Sequence, residues 1–333
     1  MVSQAQTATL AVIAAGIVCT CYWAYRISQE YRKKNLPTKW RLVGRLKKIY
    51  VYPIKSCAAN TVEKAECTML GLKDGWLIDR NLMVVDDFYN FITARTYPEL
   101  LQVRPSLKKS VLTLEHHSLE TITVDLAEVK KNNTPRKATI WFSEVHVYDC
   151  GSEVSQWFTK LLNKYSHTYH LVHYASEKTR KSVDPRNNYF RFSKDDLGAF
   201  PDDAAYNLIN EASVDDLNIR ISNSKVSALQ FRPNFVLAGG TPYDEDSWSF
   251  IKVGGSIFEI VRPCVRCTMT TLDPETGARN TNNEPLNTLK RYRQIEDEEI
   301  RKAFNMAPRM GVQIALRSAP GGTVSLQDPI YVA

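Results

Sequence analysis

The sequence predicts an α+β fold that is rich in β-strands and carries few helices. Three observations predict it. Most apolar runs are short and strand-like, and helical spacing is clear in only a few places. The 14 glycines form neither G-x-G-x-x-G nor G-x-x-x-x-G-K-[ST], which argues against a dinucleotide site or P-loop on a doubly wound sheet. Many short strands with few helices favour barrels instead.

The chain opens on an uncharged stretch from Met1 to Tyr25. Within it, Thr7 to Tyr25 would span about 28 Å as a helix, close to one hydrocarbon core. Trp23 and Tyr25 would sit at the interface. No basic n-region precedes the apolar run, so the reading is an uncleaved signal-anchor over 1–25 rather than a secretory signal.

Residues 26–45 read as a basic linker. From Arg26 to Lys48 nine basic side chains face one acid, Glu30, so this collar carries the whole net charge of +7 and leaves a near-neutral body. Such a distribution does not describe a nucleic-acid binder. It suits attraction to anionic headgroups, and the positive-inside rule then places the body in the cytosol. The layout also suits an outer mitochondrial anchor, with other intracellular membranes open. The remaining composition, 44% hydrophobic and 24% charged, is that of a folded globular protein.

Strands are expected at 46–55, 81–85, 111–114, 121–125 and 138–142. An amphipathic helix is expected at 152–164, where Val154, Trp157, Phe158, Leu161 and Leu162 share a face and Ser152 is the expected cap. The polar segment 175–200 marks a boundary or long loop, dividing a first domain (46–175) from a second (176–333). A helix should run from 210 to 222, with Ser213 and Asp216 spaced as a capping pair. Strands are expected at 226–238, 249–252, 256–262, 311–317 and 328–332, and a short helix near 295–305.

Seven cysteines are spread through a body assigned to the cytosol, which argues against a disulfide framework. All six histidines lie before Tyr174, so the C-terminal half offers no His ligand. Arg262-Pro263-Cys264-Val265-Arg266-Cys267 is the most informative stretch. A structural zinc site would need a second pair of ligands. A redox dithiol would open a helix, whereas the run after Cys267 reads as β-rich. Two buried thiols acting as small hydrophobes remain open. So does a single thiolate serving a redox metal, with Arg262 and Arg266 lowering the pKa of Cys264.

Taken together, YPIKSC (52–57), AECTMLGLKDGWLIDR (65–80), TARTYPEL (93–100), DCG with SQWF (149–158), NEASVDDLN (210–218), FRPN (231–234), YDEDSW (243–248), CVRCTMTTLDPETG (264–277) and EPLNTLKRYRQ (284–294) resemble the MOSC domain family. The nearest likeness is to its amidoxime-reducing branch. It covers nearly all of the chain from about residue 45 onward and includes the anchor and collar. The resemblance implies a MOSC N-terminal β-barrel-like domain followed by a C-terminal MOSC β-barrel. It implies a molybdenum–molybdopterin cofactor, a pyranopterin without nucleotide, with Cys264 as metal ligand and catalytic residue and Cys267 as a neighbour that does not ligate.

Cofactor contacts carried over by the resemblance are Lys55, Ser56, Arg80, Arg232 and Asn234, together with Arg262 and Pro263. Lys55 and Ser56 follow a strand, at a loop where side chains and amides can meet an anion. Arg80 and Arg232 offer planar forks for phosphate or pterin oxygens, and Asn234 offers both donor and acceptor. Pro233 removes a ladder donor and suggests a bulge beside the site. The loop Asp202, Asp203 and Ala204 departs from the family, which often has small hydroxyl residues in the positions of Asp203 and Ala204. There a phosphate would meet backbone amides rather than the Asp203 carboxylate, and Asp202 would face pterin amino groups.

The implied activity is reduction of N-hydroxylated compounds such as amidoximes, N-hydroxyguanidines and hydroxylamines. Electrons would come from NADH through cytochrome b5 reductase and cytochrome b5 on the same membrane, in keeping with the lack of nucleotide and haem motifs. The rival readings are a carrier of molybdenum cofactor or sulfur without turnover, and a tethered binding protein in which Cys264 is packing.

Overall fold

A computed structural model describes residues 36–333 apart from 163–166, 182 and 223. The expected anchor and most of the expected linker lie outside the described residues. Among the described residues no helix is long and apolar enough to cross a membrane.

Arg41–Ala333 forms one compact unit. Its centre is a closed barrel of seven strands: β1 (Arg41–Val51), β2 (Tyr206–Asn210), β3 (Phe235–Ala238), β4 (Phe250–Val253), β5 (Ser256–Val265), β6 (Arg309–Leu316) and β7 (Pro329–Val332). Their order around the barrel is β3-β2-β6-β5-β4-β7-β1, and β1 pairs back onto β3 to close it. Only β2–β3 is parallel. Leu46, Leu208, Phe235, Phe258 and Ile314 fill the interior. Tyr206, Phe235 and Phe258 pack ring to ring at 5.1–6.0 Å. Burying each such side chain contributes roughly 2–3 kcal/mol. The closing seam depends on Gly44, where a Cβ would lie 2.1 Å from the Ala238 carbonyl oxygen. Any side chain there would force β1 away from β3.

β1 begins five residues inside the expected linker, because Leu46, Ile49 and Val51 bury one face while Arg45, Lys47 and Lys48 stay exposed. It ends before Pro53. Outside the barrel, Arg136–Ile140, Ser143–Asp149, His170–Tyr174 and Leu82–Val85 form a four-stranded sheet. Arg104–Lys108, Val111–His116 and Leu119–Asp125 form a meander. The helices are α1 (Leu126–Asn132), α2 (Ser152–Leu161), α3 (Glu211–Arg220), α4 (Leu286–Tyr292) and α5 (Glu298–Ala303).

Several elements differ from expectation for local reasons. Ser152 starts α2 but does not cap it; Gly151 holds the cap position. The cap of α3 is Asn210, whose side chain accepts from Ala212 N. Ser213 is drawn away, donating to the buried Glu245 at 2.8 Å. The expected strand 226–238 breaks into a 3-10 turn at Ala228–Phe231 and the short β3, because Arg232 is left-handed (φ 49°) and Pro233 donates no hydrogen bond. The run after Cys267 is a 3-10 turn, Thr268–Thr271, not a strand. Residues 141–142, expected at the end of a strand, are a hairpin turn between paired Ile140 and Ser143.

Candidate functional site

One end of the barrel opens into a cleft. Lys55, Ser56, Arg80, Asp202, Asp203, Ala204, Arg232, Asn234 and Cys264 all line it. Arg262 lines the adjoining cavity, and Pro263, half-buried in β5, lines neither.

Two kinds of backbone build the cleft. Three of the expected residues are left-handed without being glycine: Ser56 (φ 70°), Arg80 (φ 46°) and Arg232 (φ 49°). Such residues cost of order 1–3 kcal/mol each and gather at ligand clamps. The turns aim two guanidiniums at one ring, with Arg80 and Arg232 4.5 and 4.3 Å from the centroid of Tyr52. Arg80 pairs with Asp79 and donates to the Arg232 carbonyl oxygen at 3.0 Å. Arg232 donates to the Cys57 carbonyl oxygen at 2.8 Å. Burial and the like charge of Arg80 pull the Arg232 guanidinium below its ordinary value. Asp79 offsets the charge of Arg80, whereas Arg232 has no ion pair of its own among the described residues, and a bound anion would offset it.

The opposite wall is strand-borne. The pairing of β5 with β6 shifts register twice, between Ile260 and Arg262 and between Pro263 and Val265, and the second shift leaves Cys264 without a register partner. Its thiol is 3% exposed. Burial pushes the thiol up, while Arg266 and Arg262 pull down without prevailing. The flanking arginines thus act in the expected direction, but burial outweighs them, and their hydrogen bonds go to other partners. Arg262 pairs with Asp203 and Asn187, and Arg266 donates to the Phe231 carbonyl oxygen at 2.9 Å and to the Met310 carbonyl oxygen. Gln313, across on β6, donates Nε2 to Cys264 Sγ at 3.0 Å, and its Oε1 is buried without a partner. Cys267 is exposed, with Arg95 Nη1 3.6 Å from its sulfur. The described cysteines are all free thiols.

Lys55 is not an open cation. Its ammonium pairs with Asp202 and donates to the Phe200 carbonyl oxygen at 2.9 Å. Burial pushes it down to about 8, with Asp202 resisting. Burial alone would raise the Asp202 carboxyl, but Lys55 and Arg95 hold it well below the usual range. Trp141 Nε1 also donates to Asp202, at 3.0 Å. Asp202 and Asp203 therefore already have cationic partners, and an incoming anion competes with them for Lys55 and Arg262. Asn234 is likewise engaged. It accepts from Asn207 N and donates to the Tyr50 carbonyl oxygen, both at 3.2 Å, tying β3 to its neighbours. The open acceptor is instead Asn207 Oδ1, buried and unpartnered beside it.

Asn207, Gln313 and Arg95 were not singled out by sequence, and Arg266 only as a charge beside Cys264. A usable signal existed: Asn207 and Gln313 are polar residues inside otherwise apolar strands, YNLIN and RMGVQIAL, where burial demands a reason. Among the described residues no three His, Cys, Asp or Glu side chains cluster as metal ligands.

Residues 43–165 match the MOSC N-terminal beta barrel domain, and residues 195–331 match the MOSC domain. The mitochondrial amidoxime-reducing component 1 of Homo sapiens is 33% identical over 334 residues, covering 100% of this chain and 95% of that protein. The mitochondrial amidoxime reducing component 2 of Rattus norvegicus is 34% identical, covering 97% and 90%. The component 1 of Danio rerio is 32% identical, covering 98% and 95%. The chain belongs to the MOSC family of amidoxime-reducing components. In this MOSC protein the cleft draws on both matched segments. Lys55, Ser56, Arg80 and Arg95 come from the first, and Asn207, Arg232, Cys264 and Gln313 from the second.

Proposed function

We propose that the chain is a molybdenum-dependent reductase of N-hydroxylated compounds, among them amidoximes, N-hydroxyguanidines and hydroxylamines. The observation that carries the proposal is one buried thiol, Cys264, at a cleft whose other wall holds two cations stacked on a single ring.

The residues fit a pyranopterin molybdenum group. A single sulfur suffices where the group brings its own metal donors, and no other set of protein ligands gathers among the described residues. Asn207 Oδ1 and Gln313 Oε1 are buried acceptors lacking donors, which pterin N–H groups would supply. Arg80 and Arg232 would hold the phosphate and oxygens, with Lys55 once Asp202 yields it. Ser56 and the Asp203–Ala204 backbone would complete the anion's surroundings.

When bound, molybdenum supplies two-electron reductive removal of the hydroxyl oxygen, released as water with two protons. Cys264 would hold the metal through Sγ, as a thiolate once a bound cation offsets the burial that keeps the thiol protonated. Gln313 Nε2 steadies the sulfur. Electrons would come from NADH through cytochrome b5 reductase and cytochrome b5. The uncharged segment 1–25 and the basic collar support an anchor in a membrane, with the cleft on the cytosolic side. The relatives' names support the mitochondrion, and the uncharged segment followed by the basic collar would suit its outer membrane.

Metal and pterin analysis of purified protein tests this reading. About one molybdenum and one pterin per chain, with amidoxime turnover from an artificial donor, are expected. Stoichiometric pterin without turnover on any N-hydroxylated compound would make the chain a cofactor carrier. A metal-free and pterin-free preparation from a cofactor-competent host would make it a binding protein.

A further inference from the structure

A second cavity adjoins the cleft and shares Arg95, Asp202, Asp203, Val265 and Cys267 with it. Its chemistry is different. Four guanidiniums and three carboxylates line it, and the guanidiniums are engaged. Arg186 grips Asp184 with Nε at 2.9 Å and Nη2 at 2.6 Å. Arg262 pairs with Asp203. Arg180 donates to the Ala199 and Pro201 carbonyl oxygens at 3.1 and 2.7 Å. Arg95 reaches Asp202 at 3.4 Å. Most of what is left to recognise a ligand is apolar, with the rings of Trp141, Phe142 and Phe304 beside Val183 and Leu197. Guanidinium planes back these rings, with Arg95 5.0 Å from Trp141 and Arg186 5.1 Å from Phe304.

The hairpin tip is costly in two ways. Trp141 is left-handed (φ 52°) at the first residue of a two-residue turn, where hairpin geometry favours glycine. Phe142 beside it is 72% exposed, and Val183 on the same cavity is 60% exposed. A strained Trp and an exposed Phe and Val ringing one cavity are uneconomical for folding alone.

We infer that this cavity holds the organic substituent of the substrate, that it selects planar, uncharged, aryl-sized groups, and that Phe142 and Trp141 set the specificity. The inference rests on the reductase reading for the word substrate. The shared residues let the N-hydroxyl end face the cleft while the ring lies between Phe142 and Phe304. A cationic substituent would meet the excess of guanidinium charge and be disfavoured.

The test compares an amidoxime carrying a phenyl group with one carrying only a methyl group, on the cofactor-loaded full chain. In Phe142→Ala the ratio of kcat/KM for phenyl over methyl should fall about tenfold, through KM rather than kcat. Phe142→Tyr, which keeps the ring, should restore it. Equilibrium dialysis of both compounds against oxidised protein without an electron donor supplies a readout free of turnover. There the phenyl compound should bind about tenfold more weakly to Phe142→Ala than to the parent. If no amidoxime is reduced but phenyl binding still depends on residue 142, the aryl pocket stands and the reductase reading falls. If turnover is normal and neither the ratio nor the binding changes in Phe142→Ala, the aryl pocket is overturned and the reductase reading stands.

Discussion

The two walls of the cleft are built on opposite principles. The wall of β5 and β6 is barrel strand, irregular only at Val261 and at the shift that leaves Cys264 unpaired. The wall of Ser56, Arg80 and Arg232 is a set of left-handed corners holding buried charge. Strands fix a position to fractions of an ångström and suit a metal ligand, which must not move. Corners store strain and suit groups that an arriving anion rearranges. The wall that holds the metal should therefore fail all at once, and the wall that holds the anion should fail by degrees.

The largest effect belongs to the strand wall. Cys264→Ala should abolish amidoxime turnover and molybdenum retention while leaving thermal stability nearly unchanged, since it trades one small buried side chain for another. Normal metal content and turnover in this variant would end the ligand assignment. The corner wall comes next. Arg232→Asn keeps a residue that tolerates the left-handed backbone and removes the fork. Pterin affinity, measured as retention on dialysis, should fall by about 100-fold, for a loss of roughly 2–3 kcal/mol. Unchanged retention would mean that Arg232 serves only Tyr52 and Cys57.

How much of this was legible follows the same division. The barrel strands were readable because they are short apolar runs bounded by turns, as Gly254 and Gly255 separate β4 from β5. Cys264 was readable because few residue types do its chemistry. The corners were not, since Arg80 and Arg232 show nothing in sequence of a positive φ. The segment 226–238 read as one strand because its apolar content outweighed Arg232 and Pro233. The flanking arginines misled because the sequence shows their charge but not the burial of Cys264 that outweighs it, and Arg262 and Arg266 donate to Asp203 and Met310. Trp141 and Phe142 have high β-propensity, which hid their place in a turn.

Gln313 sharpens the comparison from within the strand wall. Gln313→Leu keeps the volume but removes the donor to Sγ. A roughly tenfold loss of turnover with molybdenum retained is expected, as for residues that orient a ligand. The molybdenum resonance in electron paramagnetic spectra should shift. Loss of the metal itself would show that Gln313 holds the cofactor rather than tuning Cys264.

Lys55 tests the corner wall by pH. Its folded pKa, about 8, lies below the unfolded value of 10.5, so between the two the unfolded chain binds more protons. Stability from this group thus rises with pH across that window, and below about pH 8 the full cost of burying the ammonium is present. An anion bound beside Lys55 reverses the balance by favouring the charged form. Pterin retention should therefore weaken as pH rises through about 8, by roughly fivefold up to pH 9.5. Lys55→Arg, which stays charged throughout, should flatten the profile. A profile that Lys55→Arg leaves unaltered would place the titrating group elsewhere.

The smallest expected effect separates two thiols three residues apart in the chain. Cys264 is buried in a bulge against Gln313, whereas Cys267 is exposed and caps a 3-10 turn beside Arg95. A metal ligand must be held by its surroundings, and little holds Cys267. Cys267→Ser preserves a small polar group at the same place. It should leave molybdenum and pterin content intact and change kcat/KM by less than about twofold. A collapse of metal content in Cys267→Ser would make the two cysteines a joint site, and the contrast between buried ligand and exposed neighbour would no longer hold.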